Sequence, residues 1–131
     1  MTTAFLADAC ALIVFHAIPD GVMTPAGREA MAGGEVQVAP ITVWEILRKV
    51  QLGKLPLPVP RGFRRGYPAW LRGQGYTLAL FDWEDAALAA TLPDHHRDPM
   101  DRMLIAAALR HDLTIITSNA AFEPYGVSTL W

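Results

Sequence analysis

The sequence predicts an α/β fold in which a central, mainly parallel sheet of four to five strands carries helices on both faces. Short apolar runs alternate with helical segments along the whole chain, which is the pattern of such a sheet. Hydrophobic residues make up 52% of the 131 residues and charged residues 18%, which favours a hydrophobic core over a disordered chain. A chain of this length fits one compact domain, so we expect residues 1–131 to form a single domain.

Five short apolar runs are the expected strands. They cover residues 4–7, 36–39, 77–81, 114–117 and 127–130. In a parallel sheet the carboxyl ends of the strands share one edge, and functional sites form there. We therefore expect the residues that follow the strands to carry the chemistry.

Six helices are expected between these strands, at residues 9–18, 25–32, 42–52, 67–72, 82–92 and 98–110. Their ends carry recognisable signals: Gly53 fits the position after the third helix, Asp82 is a suitable N-cap, and Asp98 with Pro99 fits the N-cap and first position of the last helix. Three prolines within residues 55–60 exclude a regular helix there.

Basic residues are concentrated in one stretch of the chain. Residues 46–81 contain no Asp or Glu and hold seven of the eleven Lys and Arg residues. A stretch of this kind commonly contacts phosphates, although a solvated surface loop is an equally good interpretation of the charge alone. The candidates for phosphate contact are Arg48, Lys49, Lys54, Arg64 and Arg65.

Three acids are candidates for the chemistry at the strand ends. Asp8 follows the first strand inside an apolar run, where it either caps the next helix or serves a site. Glu45 lies in the helix after the second strand, and Thr42-x-x-Glu45 also matches a capping box. Asp101 lies on the apolar face of the last helix, while Asp98 is mainly its cap.

Oxygen donors also follow the fourth strand, where Ser118 and Asn119 reach the same edge. Asn119 has a second interpretation as a turn residue. Carboxylate and amide oxygens suit Mg²⁺ or Mn²⁺, whereas His95 and His96 lack a partner at metal-binding spacing and are interpreted as loop or surface residues.

Cys10 is the single cysteine, which excludes an intrachain disulfide, and we expect it to be a packed apolar residue. The first residues have neither the positive start of a signal peptide nor an uncharged apolar span, so we expect a cytoplasmic protein without a membrane segment.

Four blocks of sequence resemble the PIN-domain ribonuclease toxins of the VapC type. The blocks are FLADACALIVF, ITVWEILRKVQLGKL, HHRDPMDRMLIAAAL and IITSNAAFEPYGVSTLW, and they follow one another in the family's order over nearly the whole chain. The chain departs from the family pattern at Met100, where Phe is usual, and at Asn119, where many members have Asp.

The resemblance implies a PIN-like three-layer α/β/α sandwich and a Mg²⁺-dependent endoribonuclease that also accepts Mn²⁺. The catalytic residues and metal ligands it implies are Asp8, Glu45 and Asp101, with Asp98, Ser118 and Asn119 as additional candidates. It also implies a homodimer, an RNA substrate and a cognate antitoxin, a short DNA-binding protein with a C-terminal inhibitory segment. For such a substrate, the charge distribution makes the basic stretch the candidate support of the RNA backbone. Tyr67 and Trp70 have two interpretations: they stack on an unpaired RNA base, or they pack in the core or in a dimer contact.

Asn119 keeps an alternative function open. Without the fourth acid, the chain is either an active ribonuclease or a catalytically weakened or inactive copy that acts as an antitoxin- or RNA-binding module. A phosphohydrolase of small molecules fits the long basic stretch less well than an enzyme acting on a polymer.

Overall fold

The computed structural model describes residues 3–18, 21–55 and 63–131, with side chains from residue 65 onward in the last range. Within these ranges one sheet contains the strands β1 (Ala4–Ala7), β2 (Glu35–Val38), β3 (Thr77–Leu78), β4 (Thr114–Ile116) and β5 (Thr129–Leu130). The strand order is β3-β2-β1-β4-β5, and all neighbouring strands are parallel. The predicted α/β fold with a parallel central sheet is confirmed.

The helices are α1 (Ala9–Ala17), α2 (Pro25–Gly33), α3 (Pro40–Gln51), α4 (Phe63–Gly73), α5 (Trp83–Thr91) and α6 (Pro99–His111). A short 3-10 helix, Ala120–Tyr125, connects β4 to β5. No described helix has both the length and the apolar character needed to cross a membrane. Most of the proline-rich segment at 55–60 and the side chain of Arg64 lie outside the described residues.

Helices cover both faces of the sheet and produce three layers. Side chains of β1 alternate between two cores, with Ala7 in one and Leu6 in the other. The Ala7 core contains Leu12 and is covered by α1 to α4. The Leu6 core contains Ile105 and Phe122 and is covered by α6, on which α5 packs. The central strand therefore ends between the two helical layers.

The order of the strands fixes which chain segments meet at the carboxyl edge. β1 pairs with both β2 and β4, so that Phe5 lies opposite Val36 on one side and Thr114 on the other. The residues after β1, the start of α3 after β2 and the residues after β4 are consequently neighbours. This is the edge at which the sequence predicts a site.

The start of α3 differs from the sequence prediction. The helix begins at Pro40, its N-cap is Ala39, and no side chain caps it. The expected start at Thr42 was wrong because proline at the first helical position begins the helix earlier. The Thr42-x-x-Glu45 capping box is therefore not formed, and the buried hydroxyl of Thr42 has no hydrogen-bond partner among the described residues.

Strand β3 is shorter than predicted and α4 is longer. β3 covers Thr77–Leu78 instead of five residues, because the chain leaves the sheet before Asp82, which caps α5. α4 continues through Pro68 and covers Phe63–Gly73. β3 is the edge strand, which β2 separates from β1.

Candidate active site

Asp8 directly follows the central strand and is buried, with 8% of its surface exposed. It is the N-cap of α1, and its Oδ1 accepts a 2.8 Å hydrogen bond from the backbone N–H of Ala11. Thr117, which follows β4, makes a side-chain hydrogen bond to the same carboxylate. Asp8 is thus a helix cap in a buried position between two strand ends.

The surroundings of Asp8 disfavour its negative charge. Burial is the main cause that raises the pKa of this carboxyl to about 6, and the charges of Asp101 and Glu45 act in the same direction. The hydrogen bonds from Thr117 and Ala11 oppose this effect. No Lys, Arg or His within the described ranges forms an ion pair with Asp8. Within the described part of the chain, the Asp8 charge therefore lacks a counterion.

Asp101 is half-buried in the first turn of α6. Burial raises its pKa, and the charges of Asp98 and Glu45 add to this, while the hydrogen bond and charge of His96 lower it. His96 Nε2 lies 2.7 Å from Asp101 Oδ2. Asp98 is the N-cap of the helix, as predicted, since its Oδ1 accepts bonds of 2.8 and 3.2 Å from the backbone N–H groups of Met100 and Asp101.

Glu45 extends from the second turn of α3 toward the same edge. It is half-buried, and its Oε1 lies 3.1 Å from Lys49 Nζ, one turn further along the helix. Its charge raises the pKa of both Asp8 and Asp101. The three predicted site residues therefore act on one another electrostatically, although they come from distant parts of the sequence.

We refer to Asp8, Glu45 and Asp101 as the strand-end acids. The carboxylate oxygens of these three residues are not all within 4.8 Å of one another. Among the described His, Cys, Asp and Glu side chains, a different group, which is described below, has ligand atoms this close together. Two of the strand-end acids point an oxygen at a neighbouring base, Lys49 or His96. Ionised carboxylates repel one another, which opposes a closer approach of the three side chains.

The closely spaced group lies at the other end of the helical layer that contains α5 and α6. Asp82 and Asp85 form a capping box at the start of α5, and His111 Nε2 is 3.2 Å from Asp85. Arg110 Nη1 lies 2.7 Å from Asp82 Oδ1 and 2.6 Å from Asp85 Oδ1. We call these four residues the α5–α6 network. Because the Arg110 guanidinium on α6 forms hydrogen bonds with both carboxylates at the start of α5, the network ties the two helices together.

Ser118 and Asn119 have structural partners. Asn119 caps the 3-10 helix, and its Oδ1 accepts a 3.0 Å bond from Ala121 N–H, which is the turn role that the sequence left open. Ser118 Oγ is 3.6 Å from Cys10 Sγ. Cys10 is exposed, so the expectation of a packed apolar cysteine was wrong. It faces outward because α1 buries Ala9 and Ala11 on either side of it.

His96 and Arg102 are residues of the site region that sequence reasoning missed. His96 was interpreted as a loop or surface residue, whereas it is half-buried and bonded to Asp101. Arg102 is buried and donates to backbone carbonyls of the segment before α6. The run HHRDPMDR contained a signal for Arg102, because it places an arginine directly after the candidate acid Asp101 within the helix. His95, by contrast, is exposed as expected.

The basic candidates differ in their availability. Arg48, Lys54 and Arg65 are exposed, whereas Lys49 is paired with Glu45. Tyr67 is buried, with 6% of its surface exposed, so it belongs to the core and does not present a stacking face to RNA. Trp70 stacks on the Tyr67 ring at a centroid distance of 5.6 Å and keeps 38% of its surface exposed.

Comparisons with known proteins agree with this architecture. The chain is similar to the structure of FitAcB from Neisseria gonorrhoeae, with a TM-score of 0.63 and 20% identity over 97% of this chain and 96% of that chain. It is also similar to the structure of FitAB bound to an IR36 DNA fragment, with a TM-score of 0.64 and 18% identity over 96% of this chain and 93% of that chain. At these identities the likeness shows the fold. No curated protein matches the chain. The PIN domain family matches residues 6–127, which is nearly the whole sequence, and the chain therefore belongs to the PIN domain family.

Proposed function

We propose that this chain is a metal-dependent endoribonuclease, the toxin of a toxin–antitoxin pair of the VapC type. Membership of the PIN family supports a nuclease, and the four sequence blocks support the VapC type. We further propose that residues 1–131 act as one PIN domain and that Asp8, Glu45 and Asp101 are its catalytic residues and metal ligands.

The observation that carries the proposal is the uncompensated charge of Asp8. This carboxyl is buried, has no ion-pair partner among the described residues, and lies in the field of two further acids. Proteins rarely leave a buried carboxylate in this state unless a ligand supplies the missing positive charge. The donors at this edge are carboxylate and hydroxyl oxygens, which suit Mg²⁺ and, as its substitute, Mn²⁺.

Each side chain has a separate task in phosphodiester hydrolysis. The strand-end acids would hold a divalent cation, which would lower the pKa of a water molecule and neutralise charge on the scissile phosphate. The bonds from Ala11 and Thr117 fix the Asp8 carboxylate, and Glu45 adds negative charge from α3. In the reaction a water oxygen bonds to phosphorus and gives one proton to solvent, the bond to the leaving ribose oxygen breaks, and that oxygen takes one proton from solvent. No side-chain nucleophile is required.

The basic stretch is the proposed support for RNA. Arg48 and Lys54 are exposed around the end of α3, and Arg65 is exposed on α4. Guanidinium and ammonium groups of this kind neutralise backbone phosphates without reading the sequence of bases. Trp70, with its partly exposed ring, is the aromatic side chain here that remains accessible to an unpaired base.

We propose two protein partners. An antitoxin with a basic inhibitory segment is expected to enter the acidic edge, since its positive charge would substitute for the cation. The similar structure FitAB is bound to a DNA fragment, which supports a DNA-binding partner for this chain. Exposed tryptophans, above all Trp83 at 90% and Trp44 at 57%, support a homodimer contact.

Asn119 supports the alternative function. Its side-chain oxygen is engaged in capping the 3-10 helix, and it carries no charge. An inactive copy that binds an antitoxin or RNA would retain the basic surface and lose tight cation binding. Calorimetry with Mn²⁺ separates the two functions, since the inactive copy shows no binding at millimolar concentrations.

The test of catalysis uses the full chain, purified free of antitoxin, with RNA that contains single-stranded loops. Asp8→Asn and Asp101→Asn keep the shape of each side chain and remove its charge. We expect each to lower the cleavage rate by about 100-fold or more, in line with the loss of one group that stabilises transition-state charge. Addition of EDTA to the unmodified protein should also abolish cleavage.

Asp112→Asn is the matched control. Asp112 is exposed and caps the end of α6 with a φ of 53°, a conformation that asparagine tolerates. This variant removes the same charge at a distance from the site and should cleave at the unmodified rate. Wild-type cleavage by Asp8→Asn or Asp101→Asn would show that the site assignment is wrong.

A further inference from the structure

We propose that His96 is a positioning residue of the active site, which holds one oxygen of Asp101 and leaves the other for the cation. This inference rests on the proposed function, because it takes Asp101 to be a metal ligand. It concerns a residue that the sequence analysis interpreted as a loop or surface histidine.

The contact between the two side chains is short and sheltered. His96 Nε2 lies 2.7 Å from Asp101 Oδ2, and the two side chains are 23% and 22% exposed. No described residue forms a hydrogen bond with Asp101 Oδ1. A hydrogen bond to one oxygen of a ligating carboxylate fixes its orientation and thereby favours metal binding by the other oxygen.

The backbone around His96 is held independently of its ring. Buried Arg102 donates hydrogen bonds of 2.7–3.0 Å to four carbonyl oxygens, those of Ala89, Leu92, Pro93 and His96. The hydroxyl of Tyr125 accepts a 2.8 Å bond from the His96 N–H and donates one of 2.7 Å to Pro93 O. Because these bonds already fix the segment before α6, the bond from the imidazole to Asp101 is not needed to hold the loop.

His95 provides the contrast within the same sequence pair. It is exposed, and its ring lies edge-on to the Tyr125 ring at a centroid distance of 5.2 Å. The hydrogen bond to Asp101 comes from His96 and not from His95. The two adjacent histidines thus occupy different environments, and only the second one is aimed at a strand-end acid.

The experiment compares two amides of different reach at position 96. In His96→Gln the amide nitrogen lies near the place of Nε2, whereas in His96→Asn it is too short to reach Asp101. We expect His96→Asn to raise the calorimetric Kd for Mn²⁺ by about 10-fold, and the Mn²⁺ concentration for half-maximal cleavage by a similar factor. His96→Gln should stay close to the unmodified protein. His95→Asn is the matched control and should change neither value.

Equal Mn²⁺ affinities of the Gln and Asn variants would overturn the proposal. NMR of the unmodified protein gives an independent test: the Nε2–H signal of His96 should shift on addition of Mg²⁺ while that of His95 does not, and an unshifted His96 signal also overturns the proposal.

Asp101→Asn distinguishes a failure of the positioning role from a failure of the proposed function. If this variant loses Mn²⁺ binding while His96→Asn binds like the unmodified protein, the positioning role alone is wrong. If the unmodified protein neither binds Mn²⁺ nor cleaves RNA, the proposed function fails and the role of His96 fails with it.

Discussion

The strand-end acids and the α5–α6 network contain similar side chains in opposite electrostatic situations. In the network, Asp85 is 1% exposed and lies 2.6 Å from the Arg110 guanidinium. Hydrogen bonding, first with Asp85 and then with Arg110, lowers the pKa of Asp82. At the strand ends, Asp8 is nearly as deeply buried, but burial and the two neighbouring acids raise its pKa to about 6.

The difference between the two groups separates a structural role from a functional one. The acids of the network lie beside a cation from the protein and accept the hydrogen bonds of a capping box, so they stabilise the contact between two helices. Two of the strand-end acids have a basic neighbour, since Glu45 lies beside Lys49, which is 42% exposed, and Asp101 lies beside His96, whereas Asp8 has none among the described residues. Their unfavourable charge is retained in the fold, and binding of an external cation would remove it.

The largest change in the free energy of unfolding is expected for a substitution in the α5–α6 network. Asp85→Ala removes one half of the capping box and the charged hydrogen bond that Asp85 accepts from Arg110, so we expect the free energy of unfolding to fall by about 4 kcal/mol. Urea denaturation with an unchanged m-value would measure this loss. Glu84→Ala, one residue away and exposed, is the matched control. Similar stabilities of the two variants would mean that the network does not hold the helices together.

Asp8→Asn should increase the free energy of unfolding, in contrast to Asp85→Ala. Asparagine keeps the N-cap of α1 and removes a buried charge. The carboxyl has a pKa of 3.8 in the unfolded chain and about 6 in the folded protein, so at pH 7 its ionisation costs the folded state about 3 kcal/mol. We therefore expect the variant to be more stable than the unmodified protein at pH 7 in EDTA, as measured by urea denaturation.

The pH dependence supplies the control for this prediction. A raised folded-state pKa means that the folded protein binds the proton more tightly, so its stability is highest below the unfolded value and is lost as pH rises through about 6. The stability difference between Asp8→Asn and the unmodified protein should therefore grow between about pH 4 and pH 6 and be constant above. A difference that is independent of pH would contradict the role of Asp8 ionisation.

Divalent cations should stabilise the unmodified protein, by less than the stability changes expected for Asp85→Ala and Asp8→Asn. At a Mg²⁺ or Mn²⁺ concentration ten times the Kd, linkage predicts a gain of about 1.4 kcal/mol, visible as a higher thermal midpoint. Asp8→Asn should show no such gain, whereas Asp85→Ala should show it in full. A gain of equal size in Asp8→Asn would place the cation elsewhere, with the closely spaced carboxylates of the network as the next site to test.

The smallest effect is expected at the ion pair between Lys49 and Glu45. Both side chains are partly solvated and lie one helical turn apart, so Lys49→Gln should lower the free energy of unfolding by less than about 0.5 kcal/mol. The same change releases Glu45 and should increase the affinity for Mn²⁺ by about two- to threefold, since the electrostatic competition is weak at this exposure. Arg48→Gln is the control on the exposed side of the same helix, and an equal increase in affinity there would point to a general charge effect.

Much of the fold was predictable from local sequence signals. The bounds of β1 agree with the sequence prediction, and Asp82 and Asp98 cap α5 and α6 as expected. These features are determined within one turn of helix or one strand. The start of α3 was missed because two local signals competed there, and proline at position 40 prevailed over the Thr42 capping pattern.

The candidate site was only partly predictable. The alternation of strands and helices places Asp8, Glu45 and Asp101 at one edge, which the structure reproduces. The partner of Asp101 could not be predicted, because the orientation of His96 depends on how Arg102 holds the chain before α6. The outward orientation of Cys10 likewise depends on which face of α1 packs on the sheet.

Local signals in the chain were enough to predict the succession of strands and helices, the caps of α5 and α6, the acidic residues at the strand ends and the separate basic stretch. Tertiary structure alone decided which acids receive a counterion: Asp85 meets Arg110, while Asp8 meets two further acids. The physical reason is that helix and strand signals act between residues close in sequence, whereas burial and Coulomb interactions depend on distances that arise only after remote segments have packed together.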